Sequence, residues 1–531
     1  MEKFDRRTLL RCSGSVAVTL AFRKKSTAFP ADPQVATTTA GKVRGSVEEG
    51  VTVFKGIPYG RDTATTRFKP PEPPAPWQGT IECTTFARMA PQLASRRSTG
   101  NQRPESEDCL HLNLWTSGLR DRERRPVLMY FHGGAYNNGT VNSDLYDGKR
   151  LVQRGDVVVV TVNHRLNAFG YLYLGDLSSE YEQSGNVGQL DLVLALQWVR
   201  DNIAEFGGDA SRVLIFGQSG GGAKCATLMA TPAAKGLFHR VMTMSGQQIK
   251  GASIDIGADR AKKVLEKVGV NTNKDLARQL NALTMQQIQE GARAVSPDWL
   301  PVVDYSTLPR NPFDPDAPPL SEMIPMILGN THDETNVATS EPWTWESAPA
   351  ALKNAVSQYL GPYTAEEVVA RYRAMYPDYS PEQVATAAAT AFRAWAGQRM
   401  EAERRAASPK SLPHTWVYQM NFRGSNGKAM HTIDIPFMFD NVAIAEAQIG
   451  SAPEHLAAAK SLAATMSKML ISFARTGDPN FPGLPKWPAY DLKNRGTMIW
   501  DQPPRVENDP RGAERVFADK AHYHQAGTPL P

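Results

Sequence analysis

The pentapeptide Gly217-Gln218-Ser219-Gly220-Gly221 stands directly behind the apolar run Val213-Leu214-Ile215-Phe216. Ahead of it lies Ala223-Lys224-Cys225-Ala226-Thr227-Leu228-Met229, which has the pattern of a helix. A strand that turns this abruptly into a helix holds its central residue in a strained conformation and leaves room only for glycine around it. Ser219 therefore sits at a sharp elbow, its hydroxyl exposed above the sheet and the helix N-terminus beneath it. That placement makes Ser219 a candidate nucleophile.

A nucleophilic serine needs a base to take its proton, an acid to orient that base, and amide donors for the tetrahedral oxyanion. The donors come first in the chain. Val127-Leu128-Met129-Tyr130-Phe131 reads as a buried strand, and His132-Gly133-Gly134-Ala135-Tyr136 follows it. This is the side-chain-poor loop that carries oxyanion N–H groups in α/β-hydrolases, where the backbone must approach the substrate closely.

Longer motifs in the same order carry a resemblance. Phe54-Lys55-Gly56-Ile57-Pro58-Tyr59-Gly60 and Ser106-Glu107-Asp108-Cys109-Leu110-His111-Leu112-Asn113-Leu114-Trp115 are followed by a run from Gly185-Asn186 through Asp191 and Trp198-Val199 to Phe206-Gly207-Gly208-Asp209. Thr476-Gly477-Asp478-Pro479-Asn480 and Trp487-Pro488-Ala489-Tyr490 complete the set. From about Thr38 to about Trp500 the chain resembles the type B carboxylesterases, the family of bacterial para-nitrobenzyl esterases, animal carboxylesterases and cholinesterases. The resemblance implies an α/β-hydrolase fold, with a large, mostly parallel sheet flanked by helices and with helical insertions around an active-site gorge. Two segments, roughly 252–296 and 342–407, have the alternating helical patterns and polar turns of such insertions.

The family completes its triad with a glutamate in a G-x-x-x-D-E-type loop. Here Met323-Ile324-Pro325-Met326-Ile327-Leu328-Gly329 reads as a strand leading into Asn330-Thr331-His332-Asp333-Glu334, which makes Glu334 the triad acid, with Asp333 its nearest competitor. A carboxylate just past the C-terminal end of a parallel strand lies on the edge where such sheets place their sites. Of ten histidines, His431 follows the strand-like Trp416 to Phe422 and precedes Ile433-Asp434-Ile435-Pro436-Phe437, which resembles the family's H-x-x-D/E-apolar-P-aromatic segment. The order Ser219, Glu334, His431 is that of α/β-hydrolases. The expected reaction is hydrolysis of a small-molecule carboxylic ester through an acyl-enzyme. Gly134, Ala135 and Gly220 supply the oxyanion donors, and by resemblance Ser245 contacts the acid. The family also holds cholinesterase-like adhesion proteins with dead sites, against which an intact triad argues. Amide or lactone hydrolysis would use the same machinery. No cofactor or metal is implied.

Gln218 departs from the glutamate beside the nucleophile in the cholinesterases and offers no negative charge to a cationic substrate. The stretch 90–108 has no aromatic platform but contains Arg96, Arg97 and Arg103, so neutral or anionic esters are expected to be preferred.

The N-terminus reads as a targeting segment. Asp5-Arg6-Arg7-Thr8-Leu9-Leu10-Arg11 resembles a twin-arginine signal, followed by an apolar stretch from Ser13 to Phe22 and a cleavage site at Ser26-Thr27-Ala28. That stretch is too short to span a membrane. Export to the periplasm or beyond is the expectation, a cytoplasmic protein the alternative, with 29–531 forming a single hydrolase domain. Residues 1–28 hold seven Lys or Arg against Glu2 and Asp5, which accounts for the whole formal charge of +5 and leaves the rest balanced. A nucleic-acid partner is not suggested, and oligomeric state is open. Cys12 would leave with the signal. The family often bridges the cysteine of S-E-D-C, here Cys109, to one in an upstream segment where this chain has Ala90. Cys83, seven positions earlier, is the remaining candidate partner. Cys225 reads as a buried apolar residue.

Overall fold

The computed structural model describes residues 34–93, 104–295 and 299–528. The signal-like segment and Arg96, Arg97 and Arg103 lie outside them. Eleven described strands form one sheet. In chain order they are β1 (Ser46–Glu48), β2 (Val51–Pro58), β3 (His111–Thr116), β4 (Arg125–Phe131), β5 (Val158–Val162), β6 (Gly208–Gln218), β7 (Arg240–Met244), β8 (Met326–Thr331), β9 (Thr415–Met420), β10 (Gly496–Trp500) and β11 (Arg505–Asn508). Their order across the sheet is β11-β10-β9-β8-β7-β6-β4-β5-β3-β2-β1. The block from β10 to β5 is parallel, and antiparallel strands close both edges.

Both faces are buried, which is why the central strands read as mostly apolar runs. The strand period of two sends alternate side chains to opposite sides. Val158, Val160 and Val162 of β5 join the cluster that includes α1 (Val187–Asn202), whereas Val157 and Val159 join the one built on the long helix Pro453–Thr476. Val213 and Ile215 against Leu214 and Phe216 divide β6 in the same way. A one-residue slip in register would invert both faces at once, so the pattern also pins the elbow at the end of β6.

The two insertion segments are helical. The first gives helices Ile254–Lys267, Leu276–Ala282 and Met285–Arg293. Asp275 caps the second of these by accepting the Arg278 N–H at 3.0 Å. Their apolar faces pack with Tyr136 and Ala223, so this insertion rests directly on the glycine loop and the elbow helix. The second segment gives Ala348–Val356, Ala365–Met375, Pro381–Ala389 and Ala396–Ala407, with capping boxes at Thr364 and Ser380. A π-helical turn, Thr390–Trp395, interrupts its last two helices and carries the exposed Arg393. No helix among the described residues is long and apolar enough to cross a membrane.

The Cys83–Cys109 pairing is corrected by the fold. Both thiols are free and buried, as is Cys225. Cys83 docks on β2 at Lys55, whose N–H donates to the Cys83 carbonyl at 2.7 Å. Cys109 precedes Leu110, whose carbonyl takes the Tyr59 N–H at 3.0 Å, just past the end of β2. Burial pushes the Cys83 thiol up to about 12.

Candidate active site

The three triad candidates and the glycine loop lie past the C-terminal ends of parallel strands. Ser219 follows β6, the glycine loop follows β4, Glu334 lies three residues beyond β8, and His431 follows β9. The four loops therefore meet on one edge of the sheet.

At Ser219 the backbone takes φ +56° and ψ −126°, a region costing on the order of 1–3 kcal/mol for a non-glycine residue. It is held there from both sides. The Ser219 N–H donates to the Met244 carbonyl at the end of β7 at 2.7 Å, and the Ser219 carbonyl takes the Ala223 N–H of α2 (Gly220–Leu228) at 3.0 Å. The flanking glycines are required by close approach: a Cβ on Gly221 would overlap the Phe131 carbonyl, and one on Gly220 the Ala135 carbonyl. Ser219 is partly exposed, and its hydroxyl makes no hydrogen bond among the described residues. The glycine loop runs beside it, with Gly134 at φ +93° and Ala135 at φ +51°. A Cβ on Gly133 would stand 3.2 Å from that of Ser219.

Glu334 and His431 are brought together through Oε1 and Nδ1. The second carboxylate oxygen accepts three further bonds, from the Ser245 hydroxyl at 2.7 Å, the Thr331 hydroxyl at 2.7 Å and the Thr331 N–H at 2.9 Å. Burial alone would raise the Glu334 pKa, but the charge and hydrogen bond of His431, with the Ser245 and Thr331 donors, hold it below the ordinary value. On His431 burial acts downward, and the Glu334 carboxylate outweighs it, so the imidazole titrates above its usual 6.5. Asp333, the competing acid, points elsewhere. It pairs with His332 at 2.8 Å and accepts the Ala429 N–H at 2.9 Å, pinning the segment that leads to His431. The buried Gln218 lies against the imidazole, its amide nitrogen 3.2 Å from Nε2 and 3.4 Å from Nδ1.

Three contributors escaped the sequence reading. Thr331 supplies two of the four bonds to Glu334, and a threonine three residues before the acid was the available signal. Asp434 lies buried behind the histidine, takes the Tyr418 hydroxyl at 2.8 Å, and is pushed up to about 6 by burial. Lys224 stands in the apolar elbow helix, fully buried.

Comparison with known proteins gives one consistent picture. The model of the carboxylesterase family matches residues 31–518. The para-nitrobenzyl esterase of Bacillus subtilis is 33% identical over 503 residues, covering 91% of this chain and 98% of that protein. The liver carboxylesterase of Sus scrofa is 31% identical, covering 87% and 88%. Among solved structures, a carboxylesterase of Geobacillus stearothermophilus superposes with a TM-score of 0.79 at 34% identity, covering 91% of this chain and 99% of that one. These neighbours have the α/β-hydrolase fold, and the sheet described above is that fold.

Proposed function

This chain belongs to the carboxylesterase family, a family of carboxylic-ester hydrolases, and from that premise we propose that its ester hydrolysis runs through an acyl-enzyme on Ser219. His431 Nε2 takes the hydroxyl proton as Oγ attacks the ester carbonyl, then returns it to the leaving alkoxide. Glu334, bonded to Nδ1, keeps the ring in the tautomer whose Nε2 lone pair faces the serine, and stabilises the imidazolium. A water repeats the cycle to release the acid. The N–H groups of Gly134, Ala135 and Gly220 take the oxyanion, each worth about 3–4 kcal/mol at the transition state.

The observation that carries this reading is the Glu334–His431 pair, with the other carboxylate oxygen saturated by three donors, on the same sheet edge as a strained serine. Its test is labelling with a fluorophosphonate and digestion. The adduct is expected on the peptide bearing Ser219, and Ser219→Ala should lose both the adduct and turnover of a short p-nitrophenyl ester. Turnover persisting in Ser219→Ala would overturn the mechanism.

Gln218 bears on substrate charge. Its amide lies beside the His431 ring, and neither orientation of the amide places a negative charge beside the substrate. Arg393, on the π-helical turn, adds positive charge that is felt at His431. Neutral and anionic esters are therefore the assigned substrate class. Residues 29–531 are taken as the exported hydrolase unit. Arg6→Lys with Arg7→Lys should retain active enzyme in the cytoplasm, and undiminished export of that variant would remove the assignment.

A further inference from the structure

The glycine loop is strained at Ala135. Gly134 at φ +93° is in a region open to glycine, but Ala135 at φ +51° occupies the left-handed region, which its Cβ disfavours. A non-glycine residue stays there only where its surroundings over-determine it. The strongest of those surroundings is an ammonium. Lys224, one turn beyond Gly220 on α2, is fully buried, and its Nζ donates to the Ala135 carbonyl at 2.8 Å and to the His132 carbonyl at 3.3 Å. The same Ala135 carbonyl is the group that a side chain on Gly220 would strike. Positions 220 and 224, which share a helix face, thus cradle one loop carbonyl between them: the glycine admits it and the lysine holds it.

A buried ammonium without a carboxylate is costly and ordinarily finds a partner. Lys224 makes no ion pair among the described residues. From the β4 exit it faces His132, and the His132 ring lies against His164 of the β5 exit, with centroids 4.6 Å apart. The Tyr136 ring centroid is 5.4 Å from Nζ, and Cys225 adjoins it on its own helix. Burial and the lysine charge hold both imidazoles neutral. On the Tyr136 side a chain of hydrogen bonds through Gln248 leads to the buried carboxyl of Glu401, which burial pushes up to about 8. Nothing there neutralises the ammonium. Its surroundings consist of carbonyls, a ring face and neutral rings.

We propose that Lys224 is a positioning residue for the oxyanion pocket. Its hydrogen bonds lock the strained 132–135 loop so that the Gly134 and Ala135 N–H groups converge with that of Gly220, and its unpaired charge adds positive potential beside the oxygen that becomes negative. The inference rests on the acyl-enzyme reading of Ser219. The two actions separate on titration. A neutral amine still has two N–H groups for the two carbonyls, so deprotonation removes the field and leaves the clamp. Burial brings Lys224 down to about 7, which puts that loss within reach of an ordinary pH profile.

The test uses Lys224→Met, which keeps side-chain length, and Lys224→Gln, which keeps a shorter donor. Both are compared with wild type in the full chain and normalised to serine titrated with fluorophosphonate. On a p-nitrophenyl ester, Lys224→Met is expected to lower kcat 10- to 100-fold with KM within about threefold. A trifluoromethyl ketone, which forms a tetrahedral adduct on the serine, should lose affinity by a similar factor. Lys224→Gln should fall between. In wild type, kcat/KM and ketone affinity should both decline on the alkaline side as Lys224 deprotonates, and that limb should vanish in Lys224→Met. Variants with lower Tm but wild-type kcat and ketone affinity per titrated serine would reduce Lys224 to a structural residue and overturn the proposal. If neither variant folds, the wild-type ketone titration decides alone, and flat affinity from pH 6 to pH 10 overturns the field. Turnover persisting in Ser219→Ala would instead remove the underlying mechanism, a distinct outcome.

Discussion

Replacing Glu334 by glutamine should reverse the tautomer of His431, and the structure dictates which way the new amide turns. Oε2 of Glu334 accepts from the Ser245 hydroxyl, the Thr331 hydroxyl and the Thr331 N–H. An amide NH2 placed there would face those donors, so the amide oxygen takes that site and the NH2 is directed at His431 Nδ1. Nδ1 must then accept, which moves the ring proton to Nε2. The base has lost the lone pair it needs. The same tautomer error in a serine protease triad costs about 10⁴ in kcat, or about 5 kcal/mol at 1.36 kcal/mol per tenfold. Asp333→Asn gives the contrast, because its partners are His332 and the Ala429 N–H, not His431. That change should lower turnover no more than about tenfold, through looser placement of the segment before His431. The assay is kcat on a short p-nitrophenyl ester for both variants, with thermal melting to show that each is folded. Glu334→Gln retaining kcat within tenfold of wild type, or Asp333→Asn the more damaging, would refute the reasoning.

Three other outcomes follow from the same geometry. His431 acts as a base only when deprotonated, and its pKa stands above the usual 6.5. The acid limb of kcat/KM, which reports the free enzyme, should therefore lie above that value, and in Glu334→Gln the residual activity should show it moved down, because the carboxylate that raised it is gone. Gln218→Glu sets a carboxylate about where an amide nitrogen stands 3.2 Å from His431 Nε2. The acid limb should shift to higher pH, and kcat/KM for a cationic ester should rise relative to a matched neutral one, the more so at low salt; an unchanged ratio would count against the charge argument. For the cysteines, denatured mature protein should titrate three free thiols with or without reductant, and a thiol count of one would restore the Cys83–Cys109 bridge.

The legible parts of this molecule are those where local chemistry has few solutions. Gly217, Gly220 and Gly221 mark a turn that nothing larger can make, and the runs at Val127–Phe131 and Val158–Val162 are almost wholly apolar because both faces of a parallel strand are covered. Strand, elbow and helix could therefore be read from the residues, and the motif order that resembled the carboxylesterases named the fold. Element ends were less legible: β6 begins at Gly208, well before Val213, because the ladder with β4 extends through a register shift that side-chain pattern does not encode. The cysteines misled because spacing along the chain carries no information about where in the fold each segment docks.

What the sequence by itself determined is the set of candidate groups, Ser219, Glu334, His431 and the glycine loop, and their order along the chain. Only tertiary structure decided how they are joined. That Glu334 and not its neighbour Asp333 reaches His431 depends on the exit angle of a loop after β8. That Thr331 and Ser245 fill the remaining lone pairs depends on two strands lying side by side. Lys224 shows the limit most plainly. In sequence it is one charge in an apolar helix, and a lysine there reads as exposed as readily as buried. Its partners are backbone carbonyls about 90 residues away, and backbone carbonyls leave no mark in a sequence, since every residue has one.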